Sequence, residues 1–298
     1  MLGRRLAQTS ALIIPLAVSM IAQTPAQPAP CRAWGEYQKV PDPDPHRVDM
    51  FFGDWHGSNP QPTHGGLIER DILMRGDALE PPRQGAVLQD VNSYSYATLE
   101  PHASTGLTRL DAQQEIFYFL GGKGQMAAGG ETVDLYANIA VLVPAGIEFG
   151  IKNTGDEPLS MYLINESTPT GFVPKTKLVV RDENTTLISG KDFSTNGHWA
   201  HIVKIVFEKS DGLGALGRVL TVALDPMTIG EPHAHQRGQL EVWTSISGTS
   251  IAFVGTQLRM MTPGMAYQVR PDAVMLHSNI NAGKEQAKFL YFVSSGKR

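Results

Sequence analysis

Glu241-Val242-Trp243-Thr244-Ser245-Ile246-Ser247-Gly248 is an acid, a run of β-formers and a closing glycine, and the chain carries this pattern twice. The other copy is Glu115-Ile116-Phe117-Tyr118-Phe119-Leu120-Gly121-Gly122. Upstream, Leu99-Glu100-Pro101 precedes the first copy as Leu224-Asp225-Pro226 precedes the second. Downstream, Pro144-Ala145-Gly146 is answered by Pro271-Asp272-Ala273, and Asn153 by Asn281. Each half closes on an aromatic run, Ser160-Met161-Tyr162-Leu163-Ile164 and Lys288-Phe289-Leu290-Tyr291-Phe292. Landmarks in one order at a nearly constant offset define an internal repeat. The runs are short, β-branched and aromatic, and Gly, Pro, Asn or Asp bounds them, so they read as strands. The chain is all-β.

Composition agrees. Of 298 residues, 30 are Gly and 20 are Pro, and only 18% are charged, against about 25% in an average soluble protein. Such a mixture favours strands and tight turns over long, salt-bridged helices. The 42% of hydrophobic residues can build a core and exclude a disordered chain. A net charge of -4 argues against a nucleic-acid partner, which would call for a basic face. A single cysteine excludes an intrachain disulfide and a Cys-rich zinc module.

The organisation expected along the chain is as follows. Arg4 and Arg5, the apolar run from Ala11 to Ala22, and a Pro-rich small-residue tail read as a secretory signal peptide over 1–29. Cleavage is placed between Ala22 and Ala29, which makes the mature protein periplasmic or secreted. The apolar run is too short for an integral membrane span, which takes ~20 residues. Residues 30–86 form an irregular lead-in with short strands, where His56 and His64 are read as surface or hydrogen-bonded histidines. The first module covers 87–175, a linker 176–199 and the second module 200–298. In the linker region, the Gly197-His198-Trp199-Ala200-His201 cluster is read as packing.

The second copy resembles the cupin family. Gly230, His233-Ala234-His235, Glu241 and Gly248 match its first signature, and Pro271, His277 and Asn281 its second. Ala273 stands where the family has a glycine, and five residues separate His235 from Glu241. The resemblance implies two tandem jelly-roll barrels, a bicupin, preceded by the irregular lead-in. It also allows a homodimer.

Strand alternation sends His233 and His235 to one face, while Glu241 and His277 lie on other extended runs. Three imidazoles and a carboxylate suit one divalent transition metal, with Fe or Mn leading and Zn, Ni or Cu as alternatives. Chance alone readily supplies a His-x-His pair among nine histidines. The ordered set with Gly248, Pro271 and Asn281 carries the reading. In the first copy, Thr108 and Leu110 occupy the paired histidine positions, Phe149 the third, and only Glu115 survives. That barrel is expected to be metal-free, with Phe117 and Phe149 filling its cavity.

Alternation also sends Trp243, Ser245, Met275 and Asn279 inward, and Tyr267 belongs to an intervening strand. With Arg259, these are the candidate substrate pocket for a small molecule, and Arg270 is a second candidate grip for a carboxylate. Glu231 and Gln239 are candidates for a base or an extra ligand. Three function classes follow. One is a metal-dependent enzyme, of oxygenase type or alternatively a decarboxylase, isomerase or lyase. Another is a metal-assisted binding protein for a sugar or carboxylate, and the third a structural bicupin with a vestigial site.

Overall fold

The structure is a computed structural model that describes residues 47–189 and 199–294. The signal-peptide expectation over 1–29 lies outside the described residues. Strands and short 3-10 turns make up the regular structure, arranged as two barrels of one large and one small sheet each. No helix among the described residues is long and apolar enough to cross a membrane.

The first large sheet is built around Gln113–Gly121, flanked by Ile139–Val143 and Leu159–Ser167, with Val91–Leu99 and Leu67–Arg75 beyond. The second is built in the same order around Leu240–Ser247, flanked by Met265–Val269 and Ala287–Ser294, then Leu216–Leu224 and His201–Glu208. The repeat read from the sequence is therefore a repeat of strand order. Its asparagines also play one part in both copies. Asn153 Nδ2 donates to the Leu99 and Glu157 carbonyls, both at 2.9 Å, and its Oδ1 accepts from Gly155 N. Asn281 Nδ2 donates to the Leu224 and Glu285 carbonyls at 2.9 and 2.8 Å, and its Oδ1 accepts from Gly283 N. Each amide staples a hairpin turn to the opposite strand. We expect Asn281→Ala to cost roughly 2–4 kcal/mol in urea unfolding, because it strands two buried carbonyls. A loss below about 0.5 kcal/mol would remove this staple from the account of the fold.

Edge strands depart from the simple division of the chain. Leu67–Arg75 falls in the 30–86 lead-in and Val179–Asp182 in the 176–199 linker, yet both pair into the first barrel's sheet. Phe52–Asp54, which precedes the whole first barrel, pairs antiparallel with Met265–Val269 in the second. Each barrel thus takes its last edge strand from outside its own module, and the lead-in ties the two together.

Alternation divides each strand between two cores. Phe117 and Phe119 point into the first barrel, while Ile116 and Tyr118 join a separate cluster with Val242, Leu290 and Phe292. That cluster lies between the outer faces of the two large sheets, where Tyr94 meets Phe292 edge-on at 5.1 Å. At its margin Lys288 Nζ donates to Glu183 Oε2 at 2.8 Å and to Asn138 Oδ1 at 2.9 Å. Trp243, Tyr267 and Tyr291 belong to the second barrel's interior.

Candidate metal centre

His233 and His277 face each other across an antiparallel bridge, with main-chain hydrogen bonds of 3.1 and 2.9 Å in the two directions. Same-face alternation then brings His235 alongside. Ring centroids stand 4.4 Å apart for His233–His277, 4.8 Å for His233–His235 and 5.0 Å for His235–His277. Glu241 opens the neighbouring strand and is buried with them. Its Oε1 lies 2.7 Å from His277 Nε2, and its Oε2 pairs with His235 Nε2. The four residues singled out in the sequence therefore meet.

The supporting contacts orient each group. The main-chain carbonyl of Glu231 accepts from His233 Nδ1 at 2.7 Å, which leaves Nε2 for the cluster. Gln239 Nε2 donates to His235 Nδ1 at 3.2 Å, which fixes that ring with its proton on Nε2, facing Glu241. Partners of this kind fix ring orientation at metal sites. Trp243 Nε1 donates to Glu241 Oε1 and Tyr291 OH donates to Oε2 at 2.9 Å. Tyr291 is absent from the sequence candidates; its only signal is that it pairs across strands with Trp243.

Electrostatics follow from burial and these contacts. Burial by itself would raise the Glu241 carboxyl, but His277 and His235 overcome it and hold the group well below the usual carboxylate range. Burial, with the charge of His277 beside it, lowers His233 to about 4. His233 is therefore a neutral imidazole at pH 7, the form that donates a lone pair to a metal. Burial works against His235 too, yet its bond to Glu241 raises it.

The donor set fits a divalent transition metal. The ligand atoms of the three histidines lie within 4.8 Å of one another. Three imidazoles and one carboxylate leave positions open for a substrate or water on an octahedral ion.

The other candidates separate. Tyr267 OH donates to Asn279 Oδ1 at 3.3 Å, and both are fully buried near the cluster with Trp243, while Ser245 is buried at the far end of the same strand as Trp243. Met275 packs partly buried where the inter-barrel and second-barrel cores meet. Arg259 lies on the open edge of the small sheet, where its guanidinium bonds to Asp49 of the lead-in. Arg270 is likewise taken up by Glu80 and Asp272. Glu231 contributes its carbonyl to His233. His201 does more than pack a linker. It opens a strand of the second barrel, lies 5.5 Å from Trp243, and its Nε2 would stand 2.4 Å from any Cβ at Gly230. Only glycine leaves room for that ring.

The first barrel holds the same constellation emptied of histidines. Thr108 and Phe149 are Cα partners, just as His233 and His277 are. Phe117 and Phe149 are buried there at 5.7 Å. The surviving Glu115 has acquired a partner from the lead-in: His64 Nε2 stands 3.0 Å from Glu115 Oε2, and His64 Nδ1 3.4 Å from Glu69 Oε1. Burial opposes the charge on this ring, but the two carboxylates raise it to about 9. At neutral pH the first barrel therefore carries an imidazolium, clamped between two acids, beside the carboxylate that lost its histidines.

Known proteins share this plan. Residues 95–165, within the first barrel, match the cupin domain family. No curated protein matches the chain. Among solved structures, AerE from Microcystis aeruginosa superposes with a TM-score of 0.61 at 13% identity, covering 83% of this chain and 99% of its own. Bacillus subtilis oxalate decarboxylase, in a structure whose Mn(II) centres are described, gives 0.63 at 14% identity, covering 87% of this chain and 80% of its own. The chain has a bicupin-like fold, with the cupin domain match falling over its first barrel. The family match falls on the barrel without the histidine cluster.

Proposed function

We propose that the protein is an exported, metal-dependent bicupin enzyme that acts on a small organic substrate in its second barrel. The observation that carries this is the convergence of His233, His235 and His277 on the buried Glu241. These four residues would hold one divalent ion, with Fe or Mn as the leading choices. The ion would supply Lewis acidity or oxygen activation. The chain's own part is to keep His233 neutral, to fix Glu241 through Trp243 and Tyr291, and to wall the site with aromatic groups.

An oxygenase-type reaction is the reading we favour over decarboxylation. Arg259 and Arg270, the two cations the sequence offers as grips for a carboxylate, are engaged by Asp49, Glu80 and Asp272. A small carboxylate therefore loses its two sequence-predicted grips. Buried Trp243, Tyr267 and Tyr291 favour an apolar or aromatic molecule. The test is elemental analysis of the purified protein, followed by oxygen-uptake assays on aromatic substrates and CO2-release assays on small carboxylates. One transition metal per chain with oxygen uptake is expected. CO2 release without oxygen uptake would replace the favoured reaction with decarboxylation. A loaded site that returns every ligand unchanged would make this a binding protein, and a chain that takes up no divalent ion would end the enzyme reading.

A further inference from the structure

In each barrel the small sheet turns one face to the cavity and the other to solvent. An antiparallel sheet so placed ordinarily alternates apolar inside and polar outside. The first barrel's small sheet obeys. Met126, Phe149 and Ile151 point inward and are buried. Gly150, Ala127 and Thr132 form one outward row in Cα register, and Lys152, Gln125 and Asp134 form the next.

The second barrel's small sheet keeps the inward half of this rule and breaks the outward half. Ala252, Val254, Met261, His277 and Asn279 face inward and are buried. On the other face Ile229, Ile280, Ile251 and Met260 stand in register and cross all four strands from edge to edge. Phe253 and Leu258 form the adjoining row. Leu258 and Met260 are each 56% exposed and Ile229 38%. Two copies of one module thus differ in their outward positions, so the fold itself does not call for the apolar set.

We infer that this outer face is an interface, and that its occupant is a second copy of the chain. The row is apolar at both ends and in the middle. A twofold axis through the Ile280–Ile251 pair lays each end against the opposite end of the same row, which is the self-complementarity a closed dimer needs. Charge points the same way. The four strands carry one charged side chain, Arg259, and Asp49 holds it. An anionic membrane surface, which recruits Lys and Arg, has nothing to grip. The two rows make one contiguous apolar patch, the kind of feature that marks interaction sites. A stable dimer buries about 800 Å2 on each partner, so the patch supplies the apolar centre and the surrounding polar turns the rim.

Sedimentation of the purified protein over a micromolar concentration series tests this. The wild type is expected to be a dimer. Leu258→Lys combined with Met260→Lys should weaken dimerisation roughly 100-fold or more, because it buries unpaired charge at both ends of the paired rows. Both positions are more than half exposed, so the monomer should keep its melting temperature. Thr132→Lys, on the matching face of the first barrel, should remain dimeric. A wild type that stays monomeric at high micromolar concentration would overturn the proposal. So would a dimer that survives the double substitution with a folded chain. Co-sedimentation of a monomeric wild type with neutral phosphatidylcholine vesicles, lost in the double variant, would assign the face to lipid instead.

Discussion

Glu241→Gln is expected to lower divalent metal affinity by roughly 100-fold or more, while Glu115→Gln leaves it unchanged. The two glutamates occupy the same place in the repeat, each opening the central strand of its large sheet inside a barrel. Their neighbours differ. Glu241 faces three imidazoles, so removing its charge takes the anion out of the donor set and leaves three neutral rings to hold a doubly charged ion. The amide also presents an N–H to either Trp243 Nε1 or Tyr291 OH, both of which are donors. Glu115 faces His64, Asn165 and two phenylalanines, none of which forms a ligand set with it. Titration of each variant with Mn2+, followed by metal analysis after dialysis, separates the cases. Full occupancy in Glu241→Gln would sink the metal assignment to this cluster. A loss of metal in Glu115→Gln would place the ion in the first barrel instead.

The part of this that sequence could deliver is the part written in local pattern. Glu241-Val242-Trp243 alternates inward and outward, so the strand declares both its core face and its inter-barrel face. The histidine positions are legible for the same reason, since a bridge and a two-residue spacing are enough to put three rings together. What escaped is set by pairing across the chain. Phe52–Asp54 is three residues long, and nothing in Phe-Gly-Asp says that it closes a sheet more than two hundred residues away. Long-range pairing of this sort depends on the partner edge rather than on the strand's own propensity.

Arg259 shows a different limit. Alternation places it on the same side as buried Met261, and in a central strand that would send it into the cavity. On this edge strand its partner is Asp49 of the lead-in, 210 residues away in the chain, which no local pattern announces. Tyr291 and His201 were missed because their contacts to Glu241 and Trp243 come from strand order rather than from any motif. His64, read as a surface or hydrogen-bonded histidine, is hydrogen-bonded, but its partner is not legible in the sequence. The sequence shows a histidine before Gly65-Gly66, which reads as a turn, and the turn hides that its ring reaches Glu115.

That ring should make the first barrel's stability depend on pH, with the contribution lost on the alkaline side. His64 is raised from 6.5 to about 9, so folding favours its protonated form. The gain is fully present below about 6.5 and disappears as pH climbs through about 9, with a size on the order of 3 kcal/mol. The acid limit comes from Glu69. Burial would raise this carboxyl, but His64, Thr63 and Ser95 hold it below its usual value, so its share is lost as pH falls through the carboxylate range. His64→Gln removes the cation and leaves Glu69 and Glu115 buried without it, which should cost about 3 kcal/mol near pH 6.5. The difference in urea unfolding free energy between wild type and variant, taken from pH 6 to pH 10, isolates this ring because other titrating groups are common to both chains. We expect the gap to narrow by most of its value between about pH 6.5 and pH 9. A gap that stays constant over that range would mean His64 is held as a neutral ring, and the first barrel would then carry two buried carboxylates with no cation between them.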